Sequence, residues 1–179
     1  MAPPETARLY LIRHAKAGSR DRWDGPDDER PLTPRGERQA EEIGSSIAGR
    51  EPDGLGHLLT SPAVRCRDTL VPLAKLVGAP LENADWLLEG ADAAAALGHL
   101  GRVLGTHGSP AGLPPAADPP VAAACTHGDV MWGVLDYLAR RGVDLGPRPD
   151  APKGAVWQLD YSGPDVVSAE LLLPAGGEQ

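Results

Sequence analysis

The sequence predicts an α/β protein, a three-layer αβα sandwich on a mainly parallel sheet. Three observations predict it. Strand-length apolar runs alternate with amphipathic helical stretches, in the order β α β α β α β α β β. The first run, Leu9–Ile12, is apolar without a break, as in a strand buried on both faces. Ionisable groups then stand where strands should leave the sheet, which is where open α/β sheets bind ligands. Arg13 and His14 follow strand one, Arg65 opens the helix after strand two, Glu89 follows strand three and His127 follows strand four.

Each element has its own signal. Ser19–Pro31 is polar, with Gly25 and Pro26 as turn residues, and reads either as a solvated loop or as a substrate-covering loop leaving from the Arg13-His14 end. Thr33-Pro34 is an N-cap followed by a first-turn proline, and Ala40, Ile43, Gly44, Ile47 and Ala48 supply one buried face. His57–Thr60 reads as a short strand. Ser61-Pro62 resembles a second N-cap pair, before a helix carrying Val64, Leu70, Leu73, Ala74 and Val77 that Pro72 should kink or divide. Leu81–Leu88 contains a strand running into Glu89-Gly90, and Asp92–Leu104 is helical. Thr106–Pro120 is a Pro/Gly connector. Val121–Thr126 is a strand of small residues, and the helix from Asp129 stops at Gly142. Val143–Pro152 is a loop, Ala155–Tyr161 and Val166–Leu172 close the chain as an antiparallel edge, and the tail after Pro174 is expected to fray.

The 179 residues suit one compact domain, spanning 1–179. A net charge of −8 without a basic block argues against nucleic acid or an acidic membrane as partner. No apolar run nears the roughly 18 residues that span a bilayer. Cys66 and Cys125 form no C-x-x-C pair and no signal peptide precedes them, so both read as reduced thiols of a cytoplasmic protein. Neither a metal-ligand cluster nor a cofactor motif is visible, and the oligomeric state is not encoded legibly.

The edge residues fit phosphoryl transfer through histidine. A neutral imidazole is a competent nucleophile near neutral pH. Guanidinium groups and a second imidazole stabilise the charge on the transferred oxygens, and helix N-termini at Thr33, Ser61 and Gly128 add partial positive charge. His14 is then the nucleophile, Arg13, Arg65 and His127 the clamp, and Glu89 the acid that protonates the leaving oxygen and later activates water. Lys16, Arg20 and Arg22 are further binding candidates, for a second phosphate or an acidic partner surface, or else solvate the loop, and Lys153 is a candidate to approach the pocket from the last loop. Bland alternatives exist for each. Glu89 can be a helix-leading carboxylate, His127 an inert helix-terminal residue and Arg65 a surface cation, although a cation in a first helical turn opposes the dipole. Arg67 reads as solvated or acid-paired, and His57, His99 and His107 as structural or surface residues.

Four stretches resemble one family. LIRHAKAG is similar to the RHG-type signature of the histidine phosphatase superfamily, which includes phosphoglycerate mutases and acid phosphatases. LTPRGERQA resembles its stretch after the first loop, SPAVRCRDT its second arginine motif and CTHGDVM its second histidine. The order is that of the family and covers most of Leu9–Met131. The resemblance implies a phosphoglycerate mutase-like fold and a metal-independent phosphatase. Ala15 stands where many members have Gly. RHA-type variants resemble the small SixA-like branch, which removes phosphate from protein phosphohistidine, and also the phosphatase domain fused to Nudix hydrolases in actinobacteria, which acts on nucleotide phosphates. The expected substrate is therefore a phosphorylated protein, with a small phosphorylated metabolite or nucleotide as the alternative. A catalytically inactive phosphate-binding module is a third reading.

Overall fold

The computed structural model describes residues 6–105 and 120–173. Most of the predicted connector, together with His107 and the tail after Pro174, lies outside them.

Six strands form one sheet: β1 (Thr6–Arg13), β2 (His57–Thr60), β3 (Leu81–Asn83), β4 (Val121–Thr126), β5 (Val156–Ser162) and β6 (Asp165–Leu173). Their spatial order is β3-β2-β4-β1-β5-β6. The first four are parallel, and β5 and β6 add an antiparallel edge. Four helices cover it: α1 (Pro34–Arg50), α2 (Val64–Val77), α3 (Ala93–Val103) and α4 (Gly128–Arg140).

β1 shows why the sandwich has three layers. Leu9 and Leu11 pack in one cluster with residues of α3 and α4, including Leu97, Leu100, Val134 and Leu135. Tyr10 and Ile12 alternate into a second cluster with Ile43 and Ile47 of α1 and Leu70 and Leu73 of α2. Alternation along one fully buried strand thus divides the core into two halves. α1 begins as its sequence suggests, with the Thr33 hydroxyl accepting from the Gly36 amide.

Three expectations need correction. Ser61 is not the cap of α2. The helix starts at Val64 after Ala63, without a side-chain cap, and the Ser61 hydroxyl is spent on His127. Pro72 does not divide α2, which runs unbroken to Val77 and ends at Gly78 in the left-handed region (φ 69°). α1 comes close at that point, since a Cβ on Gly44 would lie 2.9 Å from the Leu73 amide nitrogen and 3.2 Å from Pro72 Cβ, so tertiary packing covers the proline turn. The stretch to Leu88 is strand only over Leu81–Asn83, followed by a 3-10 turn at Asp85–Leu87 that buries Leu87. No helix among the described residues is long and apolar enough to cross a membrane.

Candidate active site

Parallel strands bring their carboxyl ends to one edge, and the register there is tight. Arg13 of β1 pairs with Thr126 of β4, so His14 and His127 leave the sheet side by side. The His14 amide donates to the Thr126 carbonyl at 3.0 Å, and the two imidazoles meet edge-on with centroids 5.5 Å apart. The segment after His14 is held by two helices. The Ala15 amide donates to Thr69 Oγ1 of α2 at 3.0 Å, and that hydroxyl donates to the Arg65 carbonyl. The Lys16 amide donates to Gln39 Oε1, and its carbonyl accepts from the Thr33 amide and hydroxyl. A Cβ on Gly36 would sit 2.0 Å from that carbonyl oxygen, so only glycine lets α1 approach so closely. Sequence reading did not single out Thr69, Gln39 or Gly36.

The hydrogen bonds assign the tautomer of His14. Nδ1 lies 2.8 Å from the Ala15 carbonyl oxygen, which only accepts, so Nδ1 carries the proton and Nε2 keeps its lone pair. Burial pushes the His14 pKa down to about 3, against the Ala15 hydrogen bond, and the guanidinium groups of Arg65 and Arg13 push the same way as burial. This depression has a consequence for stability. Between pH 6.5 and about 3 the unfolded chain binds a proton at His14 that the native site refuses, so stability is intact above 6.5 and falls as pH drops through that window. The loss is on the order of 4 kcal/mol when complete. The unfolding free energy of His14→Gln should therefore decline less than that of the wild type from pH 7 to pH 4. Parallel declines would contradict the assignment.

Arg65 is 2% exposed and lies at the centre of the site. It donates through Nη1 to the Asp27 carbonyl at 2.7 Å, and through Nη2 to Glu89 at 3.2 Å and to His127 Nδ1 at 3.3 Å. His127 Nδ1 must therefore accept, and its Nε2–H donates to Ser61 Oγ at 2.9 Å. Cys66 Sγ is 3.6 Å from the same nitrogen, and Cys66 and Cys125 are both free and buried. Arg13 donates to the Ala151 carbonyl and lies across Gly128, where a Cβ would be 2.7 Å from the guanidinium carbon. The buried Nε groups of Arg13 and Arg65 have no hydrogen-bond partner. Arg13, Arg65 and His14 line one cavity, and two guanidinium groups beside a neutral imidazole there suit an anion.

The loop Ser19–Pro31 folds over this site through two 3-10 turns, Arg20–Arg22 and Asp27–Glu29. An isolated bridge between Ala17 and Leu32 pins its two ends together. Asp27 binds Arg20, Arg30 and Arg65. Burial raises the Asp27 pKa, but hydrogen bonds from Arg30 and Arg20 outweigh it and hold the carboxyl down to about 2. Arg20 also reaches Glu89 at 3.1 Å, so Glu89 lies between two guanidinium groups. The Gly90 amide donates to Asp129 Oδ2 at 2.6 Å, which anchors the Glu89 turn on the first residues of α4.

The resulting cavity is about 760 Å³. It brings together His14, Arg13, Arg65, His127 and Glu89, and also Lys16, Arg20, Gly128 and Lys153. Arg22 is left out: it is exposed and outside the lining, because its 3-10 turn presents Arg20 instead. Arg30, which the sequence reading passed over, is buried and lines the cavity with a hydrogen bond to the Gly18 carbonyl. Its only sequence signal was an i,i+3 pairing with Asp27. Arg67 pairs with Asn83 rather than with an acid. His57 binds Glu82 and His99 stacks on Trp86, both away from the cavity. No group of three or more His, Cys, Asp or Glu among the described residues is arranged to hold a metal ion.

Residues 9–91 match the family model of the histidine phosphatase superfamily, branch 1. Over these residues the chain is similar to members of that superfamily. An 8-oxo-(d)GTP phosphatase of Mycolicibacterium smegmatis is 31% identical over 175 residues, covering 96% of this chain and 50% of that protein. The chain thus spans about half the length of this curated relative. Among solved structures, the protein histidine phosphatase SixA complexed with tungstate superposes with a TM-score of 0.68 at 15% identity, covering 93% of this chain and 94% of that one. A chain from Nakamurella multipartitia, described as a SixA phosphohistidine phosphatase pending proof, gives 0.67 at 25% identity and 96% coverage of both chains. The fold is accordingly the phosphoglycerate mutase-like one of histidine phosphatases.

Proposed function

We propose that this protein is a phosphatase that passes its substrate's phosphoryl group through Nε2 of His14. The observation that carries this reading is the His14 tautomer, with its lone pair on Nε2, in a cavity that Arg13 and Arg65 also line. In the first step Nε2 attacks phosphorus, the bond to the leaving atom breaks, and its electron pair departs with that atom. In the second, water attacks the phosphohistidine and the pair of the P–N bond returns to Nε2. Arg13 and Arg65 hold the transferred oxygens, His127 positions the Arg65 fork through its Nδ1, and Glu89 takes the proton of the attacking water. No metal ion takes part in this scheme. The decisive experiment is a rapid quench in base during turnover, followed by peptide mapping. A base-stable, acid-labile phosphoryl group on the His14 peptide is expected, and turnover with phosphate on no peptide would reject the mechanism.

The surroundings of Glu89 bear on the substrate. Its carboxylate is shared by Arg65 and Arg20, so both of its neighbours are cations and no proton donor lies beside it in those pairs. Leaving groups that depart without protonation fit best. Two classes qualify. One is phosphohistidine on a protein, the reading that the SixA-like resemblance suggests. The other is a nucleotide phosphoanhydride, in keeping with the activity for which the M. smegmatis relative is named. Because Glu89 acts on the water of the step that all substrates share, Glu89→Gln should lower kcat by about 10²-fold or more on an alkyl phosphate and on phosphohistidine alike. Equal and negligible losses on both would return Glu89 to a structural role.

A further inference from the structure

Two lysines in the cavity have no acidic partner within ion-pair distance among the described residues, and both are built into the frame of the nucleophile. Lys16 follows His14 by two positions, and its peptide is gripped on both sides by Gln39 and Thr33. Lys153 precedes Gly154, whose amide donates to the carbonyls of Arg13 and His14 at 3.1 Å each. The turn that carries Lys153 therefore rests directly on the backbone of the nucleophile. The two lysines share the cavity with Arg13, Arg30 and Arg65, and all four of these cations depress the Lys153 ammonium, after burial itself. Arg20, Arg30 and Arg65 are ion-paired with Asp27 or Glu89, whereas Lys16 and Lys153 have no such pair among the described residues. One phosphoryl group held by Arg13 and Arg65 leaves this second cationic pair unmatched.

We infer that Lys16 and Lys153 form a subsite for a second, non-transferred phosphate, so that the substrate is a diphosphate whose terminal phosphoryl group goes to His14. This rests on the His14 mechanism proposed above. The chemistry balances without a proton donor. His14 Nε2 bonds to the terminal phosphorus, the P–O bond to the bridging oxygen breaks, and the electron pair stays on the departing monophosphate. That group has a second pKa of about 6, so it leaves as a stable dianion at neutral pH. Water then releases inorganic phosphate from His14. The ion-paired state of Glu89 agrees with such a leaving group, and a phosphohistidine peptide offers nothing to the second pair of cations.

The test uses the full chain with ADP, AMP, a phosphohistidine peptide and p-nitrophenyl phosphate as probes. kcat/KM for ADP should exceed that for AMP and for the peptide by about tenfold or more, as expected for charge-assisted contacts to one extra phosphate. Inorganic pyrophosphate should inhibit p-nitrophenyl phosphate turnover about tenfold more tightly than inorganic phosphate does. The double variant Lys16→Ala/Lys153→Ala should lower kcat/KM for ADP about tenfold more than for AMP, and should bring the pyrophosphate-to-phosphate difference toward one. Equal wild-type values for ADP and AMP, preference for the peptide, or ratios untouched by the double variant would overturn the subsite. Loss of p-nitrophenyl phosphate turnover is read separately. If His14→Ala retains it, the parent mechanism fails, whatever the diphosphate ratios show.

Discussion

His14→Ala is expected to reduce kcat on p-nitrophenyl phosphate by about 10⁴-fold or more, on the scale seen when a covalent nucleophile is removed. This is at least ~5 kcal/mol of transition-state stabilisation. p-Nitrophenolate departs readily, so the substrate bypasses the leaving-group acid and isolates the attack on phosphorus. The cavity keeps Arg13, Arg65 and His127 in the variant, so anion binding should persist, measurable as protection by phosphate in a thermal shift. Unchanged turnover would reject His14 as the nucleophile. Added imidazole provides a further check, because it should restore part of the rate in the space vacated by the side chain.

Arg65→Lys is expected to lower kcat/KM by about 10² to 10³-fold, the usual loss for one preorganised donor at a developing negative charge. The substitution keeps the charge but not the fork. Arg65 simultaneously holds the Asp27 carbonyl, Glu89 and His127, and it still has Nε free. An ammonium presents one donor centre and cannot span those directions. The side chain is buried, so the circular dichroism spectrum and melting temperature must be compared with the wild type. A folded Arg65→Lys protein with near-wild-type kcat/KM would show that a point charge suffices and that the geometry of the fork is irrelevant.

The fold was legible in the sequence because its signals are local and repeated. The Leu9–Ile12 run, the Thr33-Pro34 start and the small-residue strand Val121–Thr126 each describe themselves. The four strand-end residues followed, since a parallel sheet gathers its carboxyl ends. What escaped depended on contacts between distant segments. Ser61-Pro62 has the chemistry of a helix cap, yet His127, 66 positions away, claims the hydroxyl. Arg20, Arg22 and Arg30 look alike in a polar loop, and only the fold of that loop buries Arg30 and leaves Arg22 in solvent. Gly36 carries no signal of its own, because the need for glycine comes from the Lys16 carbonyl pressed against it.

The place of β3 in the sheet has a consequence for how this chemistry can diversify. His14, Ser61 and His127 follow β1, β2 and β4, the three adjacent strands at the centre, where the ladder on either side fixes each one. Glu89 follows the three-residue edge strand and a 3-10 turn, with its side chain half exposed. Insertions or substitutions there would change which leaving groups the site can process while sparing the nucleophile and its clamp. The sheet thus separates an invariant engine at its middle from an adjustable part at its margin, and descendants of such a chain can change substrate without reinventing the reaction.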